Sequence, residues 1–140
     1  MNVDNRNVDN LHVDTRNVDT RALVELAANK ADEKKGDDIK LFDVQGVSML
    51  ADYYLLCSGQ TTIKVKAIAH FVEDELTKAG HKLYGSEGQH DGLWVLLDFG
   101  TVIVHVMRTQ EREFYNLERL WSHGRAETWA PTANQEATGA

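Results

Sequence analysis

The amino-acid sequence predicts an α/β domain in which helices cover a mixed sheet of about five strands, in the order α-β-β-α-β-β-β-α. Segments with apolar residues at helical spacing alternate with apolar runs of strand length, and glycines mark the turns between them. Of the 140 residues 42% are hydrophobic, which is enough for one buried core but leaves no room for a second domain.

The first predicted helix follows Thr20, whose side chain can cap it, and ends near Gly36. One face of this helix carries four apolar side chains, Leu23, Leu26, Ala27 and Ala31. Residues 39–44 predict a strand. Residues 53–57 are apolar at every position, which is typical of a central strand covered on both faces.

A turn at residues 58–62, Ser-Gly-Gln-Thr-Thr, leads into a second helix that ends at Gly80. This helix carries an apolar stripe formed by Val65, Ile68, Val72 and Leu76. A short strand at residues 82–84 and a polar loop at residues 85–92 are expected after it.

Two strands, residues 93–98 and 101–107, are predicted to form a hairpin across Phe99 and Gly100. A last helix over residues 110–121 places Phe114, Leu117 and Trp121 at helical spacing, and core packing is favoured for Trp121.

Both ends of the chain are predicted to be disordered, which leaves residues 22–124 as the folded domain. Residues 1–21 repeat Val-Asp every five residues, a period that fits neither one face of a helix nor one face of a strand. One valine per repeat is too little apolar surface to bury. Residues 125–140 contain the only proline and are mostly small or polar, so we expect a tail.

The charge balance disfavours nucleic acid as a direct partner. The chain has 15 Lys and Arg against 22 Asp and Glu, a net charge of -7, and its field repels phosphate. A basic protein is a more favourable partner. No apolar segment approaches the roughly 20 residues that span a bilayer. Without a visible secretory signal, and with one cysteine, Cys57, expected to be reduced and buried, the sequence predicts a cytoplasmic protein with no membrane partner.

No segment has the pattern of a catalytic or metal site. The turn at 58–62 could hold a phosphate, but it lacks the lysine and second glycine of a P-loop, and capping by Thr61 or Thr62 explains it. Strand 93–98 supplies a single acid, Asp98, where two-metal catalysis needs a pair. We therefore predict a protein that is not an enzyme and that uses no cofactor.

The histidines and the polar loop at residues 85–92 are the remaining candidates for a metal or catalytic site. The six histidines do not have zinc-site spacing, and His105 is expected to be hydrogen-bonded and partly buried. Glu87 and Asp91 could pair as acid and base, although a solvated loop is favoured.

Trp94 has two possible roles. On a strand it shares a face with Leu96 and Asp98, while Val95 and Leu97 face the other way. If Val95 and Leu97 point into the core, Trp94 is a partly exposed aromatic residue beside an acid, which is typical of protein interfaces. The alternative is that Trp94 packs beneath a helix.

These segments together resemble the RsfS/Iojap-like ribosomal silencing factor family. Residues 51–59, Ala-Asp-Tyr-Tyr-Leu-Leu-Cys-Ser-Gly, and residues 65–69, Val-Lys-Ala-Ile-Ala, resemble its first half. The second half is similar at residues 87–88, 94–100, 102–106 and 115–121. No one motif is specific, but their order and spacing over about 100 residues are, and the similarity leaves out both ends of the chain.

The resemblance implies a nucleotidyltransferase-like fold without catalysis, often forming a homodimer. It also implies a translation repressor that binds ribosomal protein uL14 on the large ribosomal subunit and blocks subunit joining when nutrients are short. The partner-binding aromatic residue of the family falls on Trp94, and the adjacent surface falls on Glu87, Leu96, Asp98 and Tyr115. Two alternatives stay open: a large-subunit assembly factor, as organelle relatives are, and a nucleotide-binding or nucleotidyltransferase-like enzyme using residues 58–62.

Overall fold

A computed structural model describes residues 19–121 and 124–129 of the chain. The predictions of disorder for residues 1–18 and 130–140 concern segments outside this range. The described elements are α1 (residues 19–33), β1 (Asp37–Asp43), β2 (Tyr53–Gly59), α2 (Thr62–Lys78), β3 (Gly85–Glu87), β4 (Trp94–Asp98), β5 (Val102–Arg108), α3 (Thr109–Tyr115), α4 (Leu117–Leu120) and β6 (Arg125–Thr128).

The strands form one mixed sheet in the order β3-β4-β5-β2-β1-β6. The central pair, β2 and β5, is parallel, and every other neighbouring pair is antiparallel. All seven residues of β2 are buried, which confirms that its continuous apolar run marks a strand covered on both faces. The predicted α/β fold with a mixed sheet flanked by helices is therefore confirmed.

The sheet has six strands rather than about five, because residues 125–128 form β6 along the outer edge of β1. The prediction that the tail begins at residue 125 was wrong for these residues. An edge strand leaves backbone N–H and C=O groups unpaired, and a returning segment can satisfy them whatever its side chains are. Salt bridges from Arg125 to Asp43 and from Arg21 to Glu127 flank this pairing.

The other differences lie at element ends. Helix α1 already includes residue 19, so residues 19–21 do not belong to an extension, and Thr20 is buried within the helix instead of capping it. The short strand expected at residues 82–84 lies at residues 85–87. The single helix expected over residues 110–121 is broken at Asn116, whose φ of 48° is left-handed. Asparagine tolerates this conformation better than most residues.

The two faces of the sheet differ in what covers them. On the helical face, which α1 and α2 cover, Leu55, Cys57, Val95, Leu97, Val104 and Val106 are fully buried. On the opposite side, which we call the aromatic face, α3 and α4 cover only part of the sheet. There Trp121 packs on Phe42 and Tyr54, with ring centroids 5.2 and 4.6 Å apart, which confirms the core packing predicted for Trp121.

Cys57 lies on the helical face with no exposed surface, as the sequence predicts. Burial raises the pKa of its thiol to about 12, so the thiolate that would react is not formed at neutral pH. Within the described residues, no helix combines the length and the hydropathy needed to cross a membrane.

Candidate protein-binding site

Strand β4 divides its side chains between the two faces of the sheet. Val95 and Leu97 are fully buried on the helical face, and Trp94, Leu96 and Asp98 are partly buried on the aromatic face. Val95 and Leu97 thus point into the core, as the first of the two roles considered for Trp94 requires. Trp94 is a partly exposed aromatic side chain at the edge of the surface that α3 and α4 leave open.

Trp94 is held between two other rings. Its indole Nε1–H donates a hydrogen bond to Nδ1 of His105 at 3.0 Å, and the two ring centroids are 5.9 Å apart. The ring of Tyr115, at the end of α3, lies 5.3 Å from the indole. Tyr115 is 50% exposed, so the Trp94–Tyr115 pair is accessible from solvent.

His105 joins this pair to the core. It is 6% exposed, with Trp121 at 4.9 Å and Tyr54 at 5.8 Å between ring centroids. Burial lowers the pKa of His105 to about 4, so the imidazole is neutral at physiological pH and its Nδ1 can accept a hydrogen bond. The predicted partly buried, hydrogen-bonded histidine is confirmed, and the sequence did not identify Trp94 as its partner.

Two of the predicted acidic residues lie on the same side of the sheet. Glu87 of β3 pairs with Leu96 in the β3–β4 ladder and is exposed. Asp98 also has a structural role, because its Oδ1 accepts a hydrogen bond from the Gly100 backbone N–H at 2.8 Å and closes the hairpin between β4 and β5.

The loop after β3 passes close to the backbone of Trp94. A Cβ atom at Gly88 would lie 1.9 Å from the Trp94 carbonyl oxygen, and the φ of Gly88 is +83°. Only glycine fits both this approach and this conformation. The loop that follows Glu87 therefore runs beside the start of β4.

Helix α3 forms the other side of an open groove at Trp94. The groove has a volume of about 360 Å³ and is lined by Leu93, Trp94, Gln110, Glu111, Phe114 and Tyr115. Phe114 is 79% exposed, although its helical spacing with Leu117 and Trp121 suggested a core position. Asn116 explains the difference, because the break there ends the apolar stripe, and only Leu117 and Trp121 pack onto the sheet.

A buried arginine attaches α3 to the sheet. Arg112 Nη1 donates to Ser58 Oγ at 3.2 Å and to the Asp37 carbonyl oxygen at 3.3 Å, and its Nε donates to Glu118 at 3.1 Å. Burial opposes ionisation of Glu118, but hydrogen bonds from Lys40 and Arg112 outweigh it, so the pKa of this carboxyl lies below its ordinary value.

Two side chains of the turn at residues 58–62 form hydrogen bonds within the chain. Thr61 Oγ1 accepts a hydrogen bond from the Lys64 N–H at 3.1 Å, which confirms that Thr61 caps α2, and Ser58 Oγ is bound by Arg112. Across residues 19–121 and 124–129, no group of three or more histidine, cysteine, aspartate and glutamate side chains is placed to hold a metal ion. The arrangement around Trp94 is one that can bind a protein surface.

A family sequence model described as ribosomal silencing factor during starvation matches residues 17–139. The chain belongs to the ribosomal silencing factor family. The match extends beyond the 22–121 segment on which the resemblance rested, and it includes β6.

Curated members of this family share substantial identity with the chain. Ribosomal silencing factor RsfS of Bacillus subtilis is 41% identical over 98 residues, which are 70% of this chain and 83% of that protein. The protein of the same name from Haemophilus influenzae is also 41% identical, over 71% of this chain and 97% of that protein. A more distant relative, the mouse protein named mitochondrial assembly of ribosomal large subunit protein 1, is 26% identical over 71% of this chain and 45% of that protein.

Solved structures show the same fold. A crystal structure of a protein from Chromobacterium violaceum superposes with a TM-score of 0.72 at 36% identity, covering 73% of this chain and 85% of that one. A crystal structure from Bacillus halodurans gives a TM-score of 0.67 at 38% identity, covering 72% of this chain and 94% of that one. These structures and the silencing factor sequences support the same family.

Proposed function

We propose that this member of the ribosomal silencing factor family binds ribosomal protein uL14 on the large ribosomal subunit through the groove at Trp94. Bound there, it blocks joining of the small subunit and represses translation when nutrients are short. The observation that carries the proposal is the exposed Trp94–Tyr115 pair, with Glu87 and Asp98 on the same face of an acidic domain.

The geometry of the Trp94–Tyr115 pair suits an interface. Tryptophan and tyrosine dominate binding energy in protein complexes because each buries a large apolar area with few rotatable bonds. Here the Trp94 indole is already held by its hydrogen bond to His105, so little of its side-chain entropy is lost on binding. Phe114 and Leu93 extend the apolar surface along the groove.

The charge of the domain suits a basic partner. Residues 21–124 contain 12 Lys and Arg against 16 Asp and Glu, so the folded part retains a negative charge of about -4. Opposite charges speed the encounter of two proteins, and an aromatic anchor then slows their dissociation. Steric exclusion needs no chemistry beyond this binding, in keeping with a regulator that is not an enzyme.

A homodimer of the free chain is part of the same proposal. Val47, Met49 and Leu50, in the loop between β1 and β2, are exposed apolar side chains at the end of the sheet away from the groove. A second copy that covers them would leave Trp94 accessible. Sedimentation of the free chain tests the dimer, and monomers at micromolar concentration contradict it.

Replacing Trp94 tests the binding site. We expect Trp94→Ala to weaken binding to large subunits by about 30-fold, since removal of a central aromatic anchor costs about 2 kcal/mol. Co-sedimentation with purified large subunits measures the affinity, and a subunit-joining assay measures the inhibition. Ile63→Ala is the matched control, because Ile63 is 79% exposed on α2 at the helical face.

Comparing Trp94→Ala with Ile63→Ala distinguishes loss of the binding site from loss of the fold. Binding that is weakened by Trp94→Ala but not by Ile63→Ala, with both variants folded by circular dichroism, supports the site. Normal co-sedimentation of Trp94→Ala refutes it. Subunit joining that proceeds unimpeded while the wild-type chain is bound refutes the steric mechanism.

A role in large-subunit assembly is the second candidate, favoured by the name of the mouse relative. It predicts that cells lacking the chain accumulate immature large subunits, whereas silencing predicts normal subunits that join too readily.

The enzyme alternative has less support, because Ser58 and Thr61 both form hydrogen bonds within the chain. Calorimetry with ATP and magnesium tests it, and we expect no heat of binding.

A further inference from the structure

We infer that His105 is a positioning residue for the proposed interface, holding the Trp94 indole in the orientation in which it meets the partner. The inference rests on the proposed function for the partner, but the geometry that carries it belongs to the free chain. The hydrogen bond from Trp94 Nε1 to His105 Nδ1, 3.0 Å long, is the contact concerned.

The surroundings of Trp94 explain why such a contact is needed. Trp94 lies at the start of β4, and on its outer side it contacts Tyr115, which is itself half exposed. Tyr115 in turn touches Phe114, which is 79% exposed, with ring centroids 5.0 Å apart. Neither ring is enclosed, and on its inner side Trp94 packs against the buried Leu56 and Met107. These apolar contacts are non-directional, so they do not by themselves fix the direction in which the indole N–H points.

His105 is enclosed by the protein, whereas Tyr115 and Phe114 are exposed. It is almost fully buried in the middle of β5, and it packs against Trp121 and Tyr54. Tyr54 is itself tied by its hydroxyl to Ser48 at 3.0 Å. The bond from Trp94 to His105 therefore links a surface ring to a fixed point in the core.

The protonation state of His105 allows the Trp94–His105 hydrogen bond to form at physiological pH. Indole Nε1–H can only donate, so His105 Nδ1 must be unprotonated and accept. Burial keeps the pKa of His105 near 4, and the imidazole does not become a double donor at the pH of the cell. Among residues 19–121 and 124–129, His105 is the only acceptor of the Trp94 indole N–H.

This arrangement also limits what the partner must supply. Since Nε1–H is already satisfied within the chain, a partner need not present an acceptor to the indole. It meets the remaining carbon surface of the ring, which suits an aliphatic side chain or the cationic head of a lysine or arginine.

Two substitutions of His105 separate positioning from packing. His105→Asn places an amide oxygen where Nδ1 lies and keeps an acceptor, but it removes ring packing and buries an unpaired amide N–H. His105→Phe keeps a ring among Tyr54 and Trp121 but removes the acceptor. If His105 were merely structural, binding would follow stability in both variants.

The first readout is hydrogen exchange of the Trp94 indole Nε1–H by NMR in the free chain, with Trp129, which packs on the helical face, as the internal control. We expect exchange of Trp94 to quicken at least tenfold in His105→Phe, with Trp129 unchanged, and to stay within about threefold of wild type in His105→Asn. The second readout is affinity for large subunits, expected to fall about tenfold in His105→Phe and to be largely retained in His105→Asn.

Each outcome decides the inference. Unchanged indole exchange in His105→Phe overturns it, whether or not the chain binds ribosomes. Faster exchange with wild-type affinity shows that orientation is not needed for binding and overturns it as well. If the wild-type chain itself fails to bind large subunits, the proposed function fails, and the indole exchange alone then decides whether His105 fixes Trp94.

Discussion

The helical face and the aromatic face of the sheet are built from alternate residues of the same strands, yet they differ in composition and in how far they are covered. The helical face is aliphatic and closed, with side chains such as Val95, Leu97 and Val104 fully buried. The aromatic face carries rings, a neutral histidine and a salt-bridged arginine, and it is only partly covered. The difference indicates that stability resides mainly in the helical face, which leaves the aromatic face available for recognition.

Adjacent leucines of β4 provide the sharpest test of this division. We expect Leu97→Ala to lower the free energy of unfolding by about 3 kcal/mol, because it opens a cavity in a closed core. Leu96→Ala, on the aromatic face, should cost about 1 kcal/mol, because Leu96 is only partly buried. Urea denaturation measures both.

Binding should show the reverse order for the two leucines. Leu96→Ala is expected to weaken large-subunit binding several-fold, and Leu97→Ala to leave it unchanged at temperatures where the variant is folded. Equal losses of stability would show that the two faces do not differ as proposed.

Acid should destabilise the chain through the aromatic face. The pKa of His105 is lowered by burial to about 4 from an ordinary value of 6.5, so the unfolded chain takes up the proton before the folded chain can. The stabilisation by neutral His105 is complete above about pH 6.5, decreases as the pH falls towards 4, and amounts to roughly 3 kcal/mol.

Denaturation curves between pH 7 and 4.5 measure this effect, and His105→Asn is the matched control. We expect the variant to lose most of the pH dependence in that range. The carboxyls of Glu111, Glu118 and Glu127, whose pKa values lie below the ordinary value, add their own loss of stability only at lower pH. A wild-type curve that is flat down to pH 4.5 contradicts the account of His105.

The smallest expected effect concerns the cap of α2, on the helical face. Thr61→Ala removes the side-chain acceptor for the Lys64 N–H and should cost about 1 kcal/mol of stability. Binding to large subunits should not change. Thr77→Ala, in the exposed last turn of α2, is the control and should alter stability by less than about 0.5 kcal/mol.

The sequence predicts well the elements in which apolar periodicity reflects burial. Two apolar patterns correctly predict which residues are buried: the continuous run in β2, and the stripe on α2 formed by Val65, Ile68, Val72 and Leu76. They do so because every residue of the run and of the stripe is buried in the structure. The alternation along β4 likewise predicts the two faces on which Trp94 and Leu97 lie.

The sequence predicts poorly where tertiary contacts or single backbone angles decide the structure. Strand β6, Arg-Ala-Glu-Thr, has no apolar pattern, and it forms because the edge of β1 needs partners for its backbone. The exposure of Phe114 depends on the left-handed angle of Asn116. The bond between Trp94 and His105 depends on the register of β4 and β5, which pairs Leu96 with His105 and so brings Trp94 within reach.

The anchoring of α3 has a consequence for the dynamics of the groove. Arg112 is the only buried residue of this seven-residue helix, so α3 is attached through hydrogen bonds and salt bridges rather than through apolar side chains. Elements with few buried apolar contacts open first in local unfolding. We therefore expect the helix that carries Tyr115 and Phe114 to open locally before the sheet does. One wall of the groove would then adapt to a partner, while the other, formed by Trp94 bonded to His105, keeps its position.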